Sequence, residues 1–253
     1  MDILLLFFAG LFGGVLNSIA GGGSFITFPA LMAVGVPPVI ANATNTFASC
    51  AGYLSGAWGF RHELSRHRDV LPRTILVSLM GGVLGAVILL TTEENDFLTA
   101  IPWLLLFATL LFIFGPNINR RLAQGSHAKK SGFTRQILPA AFLLLVSAYG
   151  GFFNAGLGIV ALGYLSLCGY HDIHLMNGLK LLISSCVSLV AVAIFIWHGS
   201  IDWLNGIAVL VGSLAGGYIS AMASKYIARI WIQRFVAISS LLITGYFFIE
   251  VYA

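Results

Sequence analysis

Two sets of three polar residues lie within otherwise apolar stretches of the chain. Each set has the spacing i, i+3, i+7, which places its members on one face of a helix. The sets are Asn42, Asn45 and Ser49, and Asn177, Lys180 and Ser184. Thr46 widens the first face, and these amide, hydroxyl and ammonium groups can all donate hydrogen bonds to an anion. Buried polar groups need partners, so both faces should point inward, toward a ligand or toward a neighbouring helix.

Apart from Arg73 and Arg234, which lie in the first residues of their segments, Lys180 is the only basic residue inside an apolar segment. It lies near the start of its segment, where a lysine can extend its ammonium group to the membrane surface. The polar face that it shares with Asn177 favours the other interpretation, a role in binding an anion, because a lysine that faces lipid has no need of polar neighbours.

Two glycine-rich segments precede these polar faces, and each adds an asparagine. Their candidate site residues are Asn17, Gly21, Gly22, Gly23 and Ser24 in the first, and Asn154, Gly156 and Gly158 in the second. Consecutive glycines break a helix, and the helix that follows offers free N–H groups and the positive end of its dipole to an anion. Close helix packing is the alternative role. It is the expected one for Gly81 with Gly85 and Gly212 with Gly216, which lie within unbroken segments.

The chain of 253 residues is 58% hydrophobic and only 9% charged, against about 25% charged residues in soluble domains. So few charges cannot cover so much apolar surface in water, which excludes a soluble enzyme, a nucleic-acid-binding protein and a disordered chain. Eight apolar segments can enter a bilayer. They are residues 3–34, 38–60, 71–90, 97–114, 137–168, 175–197, 203–222 and 230–251. The first and fifth are too long for one crossing, and they contain the glycine-rich segments.

The second half of the chain repeats the first at an offset of roughly 135 residues. Residues 13–17 (GGVLN) recur as 150–154 (GGFFN), and the two polar faces correspond to each other. All Lys and Arg other than Lys180 fall in three connections, which the positive-inside rule places in the cytoplasm. All three connections can lie there only if each long segment enters the membrane and returns as a hairpin. Eight single crossings, with one connection contrary to the rule, is the alternative.

These observations predict an all-α integral membrane protein made of two inverted repeats. Each repeat is a glycine-broken helical hairpin followed by three transmembrane helices. Residues 1–116 form the first repeat, 117–135 a basic cytoplasmic linker and 136–253 the second repeat, all within one membrane domain. Both termini are expected on the outer side of the plasma membrane.

No spacing of histidine, cysteine or acidic residues matches a metal site or a catalytic pair, and no acidic residue lies in the middle of an apolar segment. The sequence therefore predicts no catalytic activity, no cofactor and no metal. The expected partners are a small anionic substrate and the lipid bilayer, without nucleic acid. A homo-oligomer is compatible with these features.

The run from Gly13 to Leu31 (GGVLNSIAGGGSFITFPAL), followed by ANATNT at residues 41–46, resembles the sulfite exporter TauE/SafE family of membrane transporters. Residues 150–158 and 177–180 are similar to the same family, so the resemblance covers most of the chain. It implies a permease of the bacterial inner membrane for small sulfur-containing anions, such as sulfite, sulfoacetate or related organosulfonates.

Together, the residues and the resemblance predict a secondary transporter, an exporter, of a small anion. Its substrate is expected between the two halves near the middle of the membrane, and one half rocks against the other to switch access. Two alternatives stay open at this point, an anion channel and a transporter of another small organic anion.

Overall fold

The computed structural model describes residues 1–19, 22–125, 134–170, 172–223 and 229–252. The regular secondary structure of these ranges is helical throughout, which confirms the predicted all-α class. The helices are α1 (Asp2–Ile19), α2 (Ser24–Ala33), α3 (Pro38–Gly59), α4 (Arg61–Ser65), α5 (Leu71–Thr91), α6 (Glu94–Gly125), α7 (Thr134–Phe152), α8 (Leu157–Leu167), α9 (Ile173–Trp197), α10 (Trp203–Ala223) and α11 (Arg229–Tyr252). Gly21, a predicted site residue, lies outside the described ranges.

Several helices have the length and composition of membrane spans. Within the described ranges, four helical stretches are long and apolar enough to cross a bilayer: Leu71–Thr91, Glu94–Phe114, Ile173–Trp197 and Arg234–Tyr252. α1, α2, α7, α8 and α10 contribute shorter apolar stretches. α3 has 22 residues but is less apolar, because it carries the polar face of Asn42 and Asn45.

The first long apolar segment folds into two helices that lie side by side. α1 and α2 run in opposite directions, since Asn17, near the end of α1, contacts Gly23, just before α2, and the earlier Gly13 contacts the later Thr27. A side chain at Gly13 would collide with Thr27, so the two helices approach closely only because this position is glycine. The glycine-rich segment therefore ends one helix and allows the next to return beside it.

The second long segment has the same arrangement. α7 ends at Phe152 and α8 begins at Leu157. Gly150, near the end of α7, contacts Leu157, and the ring of Phe142, further back in α7, lies 5.7 Å from that of Tyr164 in α8. Both long segments are therefore broken and turn back on themselves, as their glycines predict.

Two helix pairs, α1 with α10 and α5 with α7, pack backbone against backbone. In each pair, a Cβ added at a glycine would collide with main-chain atoms of the partner helix. The contacts are Gly212 with Phe7, Gly216 with Leu11, Gly81 with Leu144, and Gly85 with Ala148. The packing role predicted for these four glycines is thereby confirmed.

The helix contacts follow the sequence repeat. In the repeat, α7 corresponds to α1 and α5 corresponds to α10. The packing of α5 on α7 is therefore equivalent to the packing of α10 on α1. Thr109 of α6 and Thr244 of α11, which are 135 residues apart, bring their hydroxyl oxygens within 3.4 Å of each other. α3 and α9, which carry the two polar faces, also pack together.

The two ends of the helix bundle differ in charge. At one end, residues 60–73 connect α3 to α5 and contain four arginines, and Phe60 and Leu64 contact Gly178 near the start of α9. At the other end, the connection between α5 and α6 and the connection between α9 and α10 carry acidic residues. There the N–H of Asp202 donates to the Thr44 hydroxyl near the start of α3, at 3.0 Å. We call these the basic end and the acidic end.

The glycine contacts predict a stability difference between two valine variants. Gly216→Val places a branched side chain against the backbone of Leu11 and should lower the free energy of unfolding by about 1–3 kcal/mol, the usual cost of overpacking. Gly245→Val is the matched control, because nothing lies within 4 Å of a Cβ at this position in α11. Thermal unfolding in detergent measures both, and equal melting temperatures would contradict the close contact.

Candidate functional site

A cavity of about 600 Å³ lies between the first helix pair and helices α3, α8, α9 and α10. Residues from the first glycine-rich segment and from both polar faces contribute to its wall. Its polar lining includes Asn17, Thr27, Ser49, Asn177 and Lys180, and Gly23 exposes main chain to it. The cavity reaches the basic end at Ser55 and Phe60.

Four of the predicted site residues line this cavity: Asn17, Gly23, Asn177 and Lys180. They come from two separate parts of the chain, the first glycine-rich segment and α9, so the fold brings together residues more than 150 positions apart. We call them the cavity group. Lys180 and Asn177 are half-buried, which leaves their polar groups accessible from the cavity.

Lys180 lies beside the start of α8 and contributes to the cavity wall. Its aliphatic stem runs past the start of α8, where a Cβ at Gly158 would stand 3.4 Å from Cδ of the lysine. Gly158, another predicted site residue, therefore leaves room for the stem rather than lining the cavity itself. A small residue at this position allows the lysine to pass the helix start and reach the cavity.

The start of α2 contributes main chain and a hydroxyl. The N–H groups of Ile26 and Thr27 both donate to the carbonyl of Gly23, at 3.0 and 3.2 Å. The Thr27 hydroxyl reaches that carbonyl and also Oδ1 of Asn45. Thr27 thus connects the first helix break to the polar face of α3.

Sequence reasoning did not select Thr27, although it lies within the motif that carries the family resemblance. The available signal was its position four residues after Gly23, on the first turn of the helix that follows the break. Gly22 and Ser24 are buried at the same break and lie outside the residues that line the cavity.

The second helix break is closed and internally bonded. Gly156 has φ +80°, a left-handed conformation that favours glycine, and its carbonyl accepts from the N–H groups of Ile159 and Val160. The Tyr149 hydroxyl donates to the carbonyl of Ala155 at 2.8 Å. This break therefore starts α8 as predicted, but Gly156 does not line the cavity.

Asn154 is buried, and both ends of its amide have partners within the protein. Oδ1 accepts from the Tyr53 hydroxyl at 2.8 Å, and Nδ2 donates to Oγ of Ser188 at 3.2 Å. Its counterpart in the repeat, Asn17, lines the cavity. Asn154 thus ties the second break to α3 and α9.

The polar face of α3 is also buried. Nδ2 of Asn42 donates to the carbonyl of Phe152 at 2.9 Å, and the Thr46 hydroxyl donates to the carbonyl of Asn42 at 2.8 Å. Asn45 is fully buried, and Ser184 on α9 is 1% exposed. With Asn154 and Gly156, these residues form a second set that lies away from the cavity, which we call the buried group: Asn42, Asn45, Thr46, Asn154, Gly156 and Ser184.

The cavity is suited to a negatively charged ligand. Among the described residues that line it, Lys180 is the one charged side chain, and the others offer amides, hydroxyls and main-chain groups. The described part of the chain contains no cluster of three histidine, cysteine or acidic side chains that could hold a metal ion. The arrangement can therefore bind an anion through hydrogen-bond donors and one positive charge.

Comparison with known proteins shows the family of the chain. The family model of the sulfite exporter TauE/SafE family matches residues 6–247 of the chain. The chain belongs to this family. The match includes both helix breaks, both polar faces and the glycine contacts between α1 and α10 and between α5 and α7.

Curated relatives of the family cover most of the chain. A "Probable membrane transporter protein" of Haemophilus influenzae is 29% identical over 97% of this chain and 94% of its own length. The "Probable membrane transporter protein YfcA" of Escherichia coli K12 is 29% identical over 84% of this chain and 77% of its own. The "Probable membrane transporter protein ORF9" of a Sinorhizobium species is 31% identical over 87% of this chain and 82% of its own. No solved structure matches the chain significantly.

The bond between Tyr53 and Asn154 predicts a loss of stability. Tyr53→Phe leaves the buried Oδ1 of Asn154 without its donor and should lower the free energy of unfolding by about 1–3 kcal/mol. Tyr218→Phe is the control, because this tyrosine is 69% exposed. Chemical unfolding in detergent compares the two variants, and unchanged stability in Tyr53→Phe would mean that the bond does not hold the second break in place.

Proposed function

We propose that this family member is a secondary transporter that exports a small anion, sulfite or an organosulfonate, and that the cavity is its binding site. The observation that carries the proposal is the convergence of Asn17, Asn177, Lys180 and the start of α2 on one cavity. Membership in the TauE/SafE family and the transporter names of the relatives support the same function.

The chemistry of the cavity supports a small oxyanion. A sulfite or sulfonate group presents three oxygens that accept hydrogen bonds, and the cavity supplies two amide side chains, hydroxyls and an ammonium group. Its volume of about 600 Å³ falls within the range of about 300–1,000 Å³ typical of ligand sites. Inside a membrane, a single ammonium group exerts a strong attraction, because the surrounding dielectric is low.

The equivalent helix contacts support an architecture of two inverted repeats. α1 packs on α10 as α7 packs on α5, and the first broken pair approaches from the acidic end whereas the second approaches from the basic end. Many secondary transporters have this arrangement, in which two similar units enter the membrane from opposite sides. The positive-inside rule places the basic end in the cytoplasm of a bacterial inner membrane, so the cavity opens toward the cytoplasm.

The membrane potential can drive export through such a protein. An anion that leaves the cell moves down an inside-negative potential, which contributes about 2.3 kcal/mol per charge per 100 mV. Export therefore needs no coupled cation. The buried group and the aromatic residues around it lie between the cavity and the acidic end, which favours a carrier over an open channel.

Removal of the positive charge should reduce transport. In liposomes, Lys180→Gln should lower the initial rate of sulfite or methanesulfonate counterflow at least tenfold at low anion concentration, since a hydrogen bond to a charged group contributes about 1.5–3 kcal/mol. Arg66→Gln, an exposed residue of the connection at the basic end, is the control and should transport normally. Unchanged counterflow in Lys180→Gln would show that this residue is not part of the site. Single-channel currents in the parent protein would show a channel and exclude a carrier.

The proposed orientation has its own test. In a background without native cysteines, Ser65→Cys at the basic end should react with a membrane-impermeant thiol reagent only from the cytoplasmic side. Glu93→Cys at the acidic end should react only from the outer side. Both positions are exposed. The reverse pattern would overturn the orientation without affecting the cavity.

A further inference from the structure

Three side chains of the buried group hold a polar atom that has no hydrogen-bond partner in the described part of the chain. The atoms are Asn42 Oδ1, Asn45 Nδ2 and Ser184 Oγ, and each side chain is at most 1% exposed. Unpartnered polar atoms are costly inside a protein, and the cost is greater where no water is present. Ser78 and Ser147 carry similar hydroxyls, but they lie outside the two polar faces.

The repeat relates these three side chains to residues that line the cavity. The pairs are Asn42 with Asn177, Asn45 with Lys180, and Ser184 with Ser49. In each pair, one residue faces the cavity and the other is buried. The same polar face is thus accessible in one half of the protein and covered in the other.

Aromatic rings lie beside the buried group. Phe28 in α2, Phe97 in α6 and Phe153 in the second break are fully buried, and the ring of Phe153 lies 5.5 Å from Phe28 and 6.3 Å from Phe97. Phe152 packs on Phe97 at 5.5 Å, and its carbonyl accepts the amide of Asn42. We call Phe28, Phe97, Phe152 and Phe153 the aromatic cluster. Its ring contacts join elements of both halves without covalent links or ion pairs among these residues, so they can separate.

We infer that the protein has a second binding face, formed by Asn42, Asn45 and Ser184, that opens to the acidic end when the aromatic cluster separates. The inference rests on the proposed transport function and adds its second state. In that state, Nδ2 of Asn45 and the hydroxyl of Ser184 donate to the anion, and Oδ1 of Asn42 accepts from water. Asn177, Lys180 and Ser49 become covered in their turn. Burying these atoms without hydrogen-bond partners destabilises the present state. The atoms are retained because they bind the anion or water in the second state.

Cysteine labelling in sealed vesicles tests this exchange. In a background in which Cys50, Cys168 and Cys186 are replaced, Ser184→Cys should react with a membrane-impermeant methanethiosulfonate reagent applied at the acidic end. The matched control is Ser147→Cys, another buried serine with an unpartnered hydroxyl, at the contact between α7 and α5. Ser184→Cys should react at least tenfold faster than Ser147→Cys, and methanesulfonate should slow the reaction.

Two further variants keep the test decisive if Ser184→Cys does not fold. Asn42→Cys should show the same accessibility from the acidic end if Ser184→Cys does not fold, and Ser49→Cys should react from the basic end. Reaction of both buried positions no faster than Ser147→Cys would overturn the second face. Simultaneous reaction of Ser184→Cys from both ends would indicate a continuous pore and would also overturn the exchange.

Anion flux in the same vesicles separates the two proposals. Flux in the parent protein without labelling from the acidic end overturns the second face and leaves the transport function in place. If Ser184→Cys is labelled from the acidic end but neither sulfite nor methanesulfonate crosses the membrane, the second face is supported and the proposed transport function is overturned. Flux together with labelling that methanesulfonate slows supports both.

Discussion

Polar groups within a membrane must find partners inside the protein, and this requirement governs the structure. The main chain at a helix break cannot face lipid, so each break lies against other helices, and the second is held by the bonds of Tyr149 with Ala155 and of Tyr53 with Asn154. The first break borders the cavity instead, where Gly23 and Thr27 form part of the wall. The same requirement thus gives one closed break and one open break in a single conformation.

The glycine contacts explain how such a protein can move without losing its fold. α1 with α10 and α5 with α7 meet backbone to backbone, and such close contacts hold each pair together as a unit. Between these units, α3 and α9 pack together, and three buried polar atoms of Asn42, Asn45 and Ser184 have no hydrogen-bond partner in the described part of the chain. Each pair contains one helix of each repeat, so in the proposed transport cycle the units that move against each other are these pairs, not the two repeats themselves.

The sequence predicted the helices and both breaks, because glycine runs and apolar length act locally. It also predicted that Asn177 and Lys180 point inward, since a polar face within an apolar segment needs partners, and both line the cavity. It did not separate Asn17 from Asn154, or Asn177 from Asn42, because residues related by the repeat carry the same local signal. Which residue of each pair lines the cavity depends on how the two halves pack. That packing includes the contact of Phe28 with Phe153, and no local sequence pattern relates two residues so far apart in the chain.

The repeat is not symmetric in charge, and this asymmetry bears on the transport cycle. Lys180 stands where the first half has Asn45, so an anion in the present cavity meets an ammonium group, whereas the second face would offer it amides and a hydroxyl. In the proposed transport cycle, the anion is therefore held more tightly at the basic end than at the acidic end. This difference does not set the direction of net flux, which the anion gradient and the membrane potential determine. In the proposed exporter, it allows loading at a low anion concentration at the basic end and release at the acidic end.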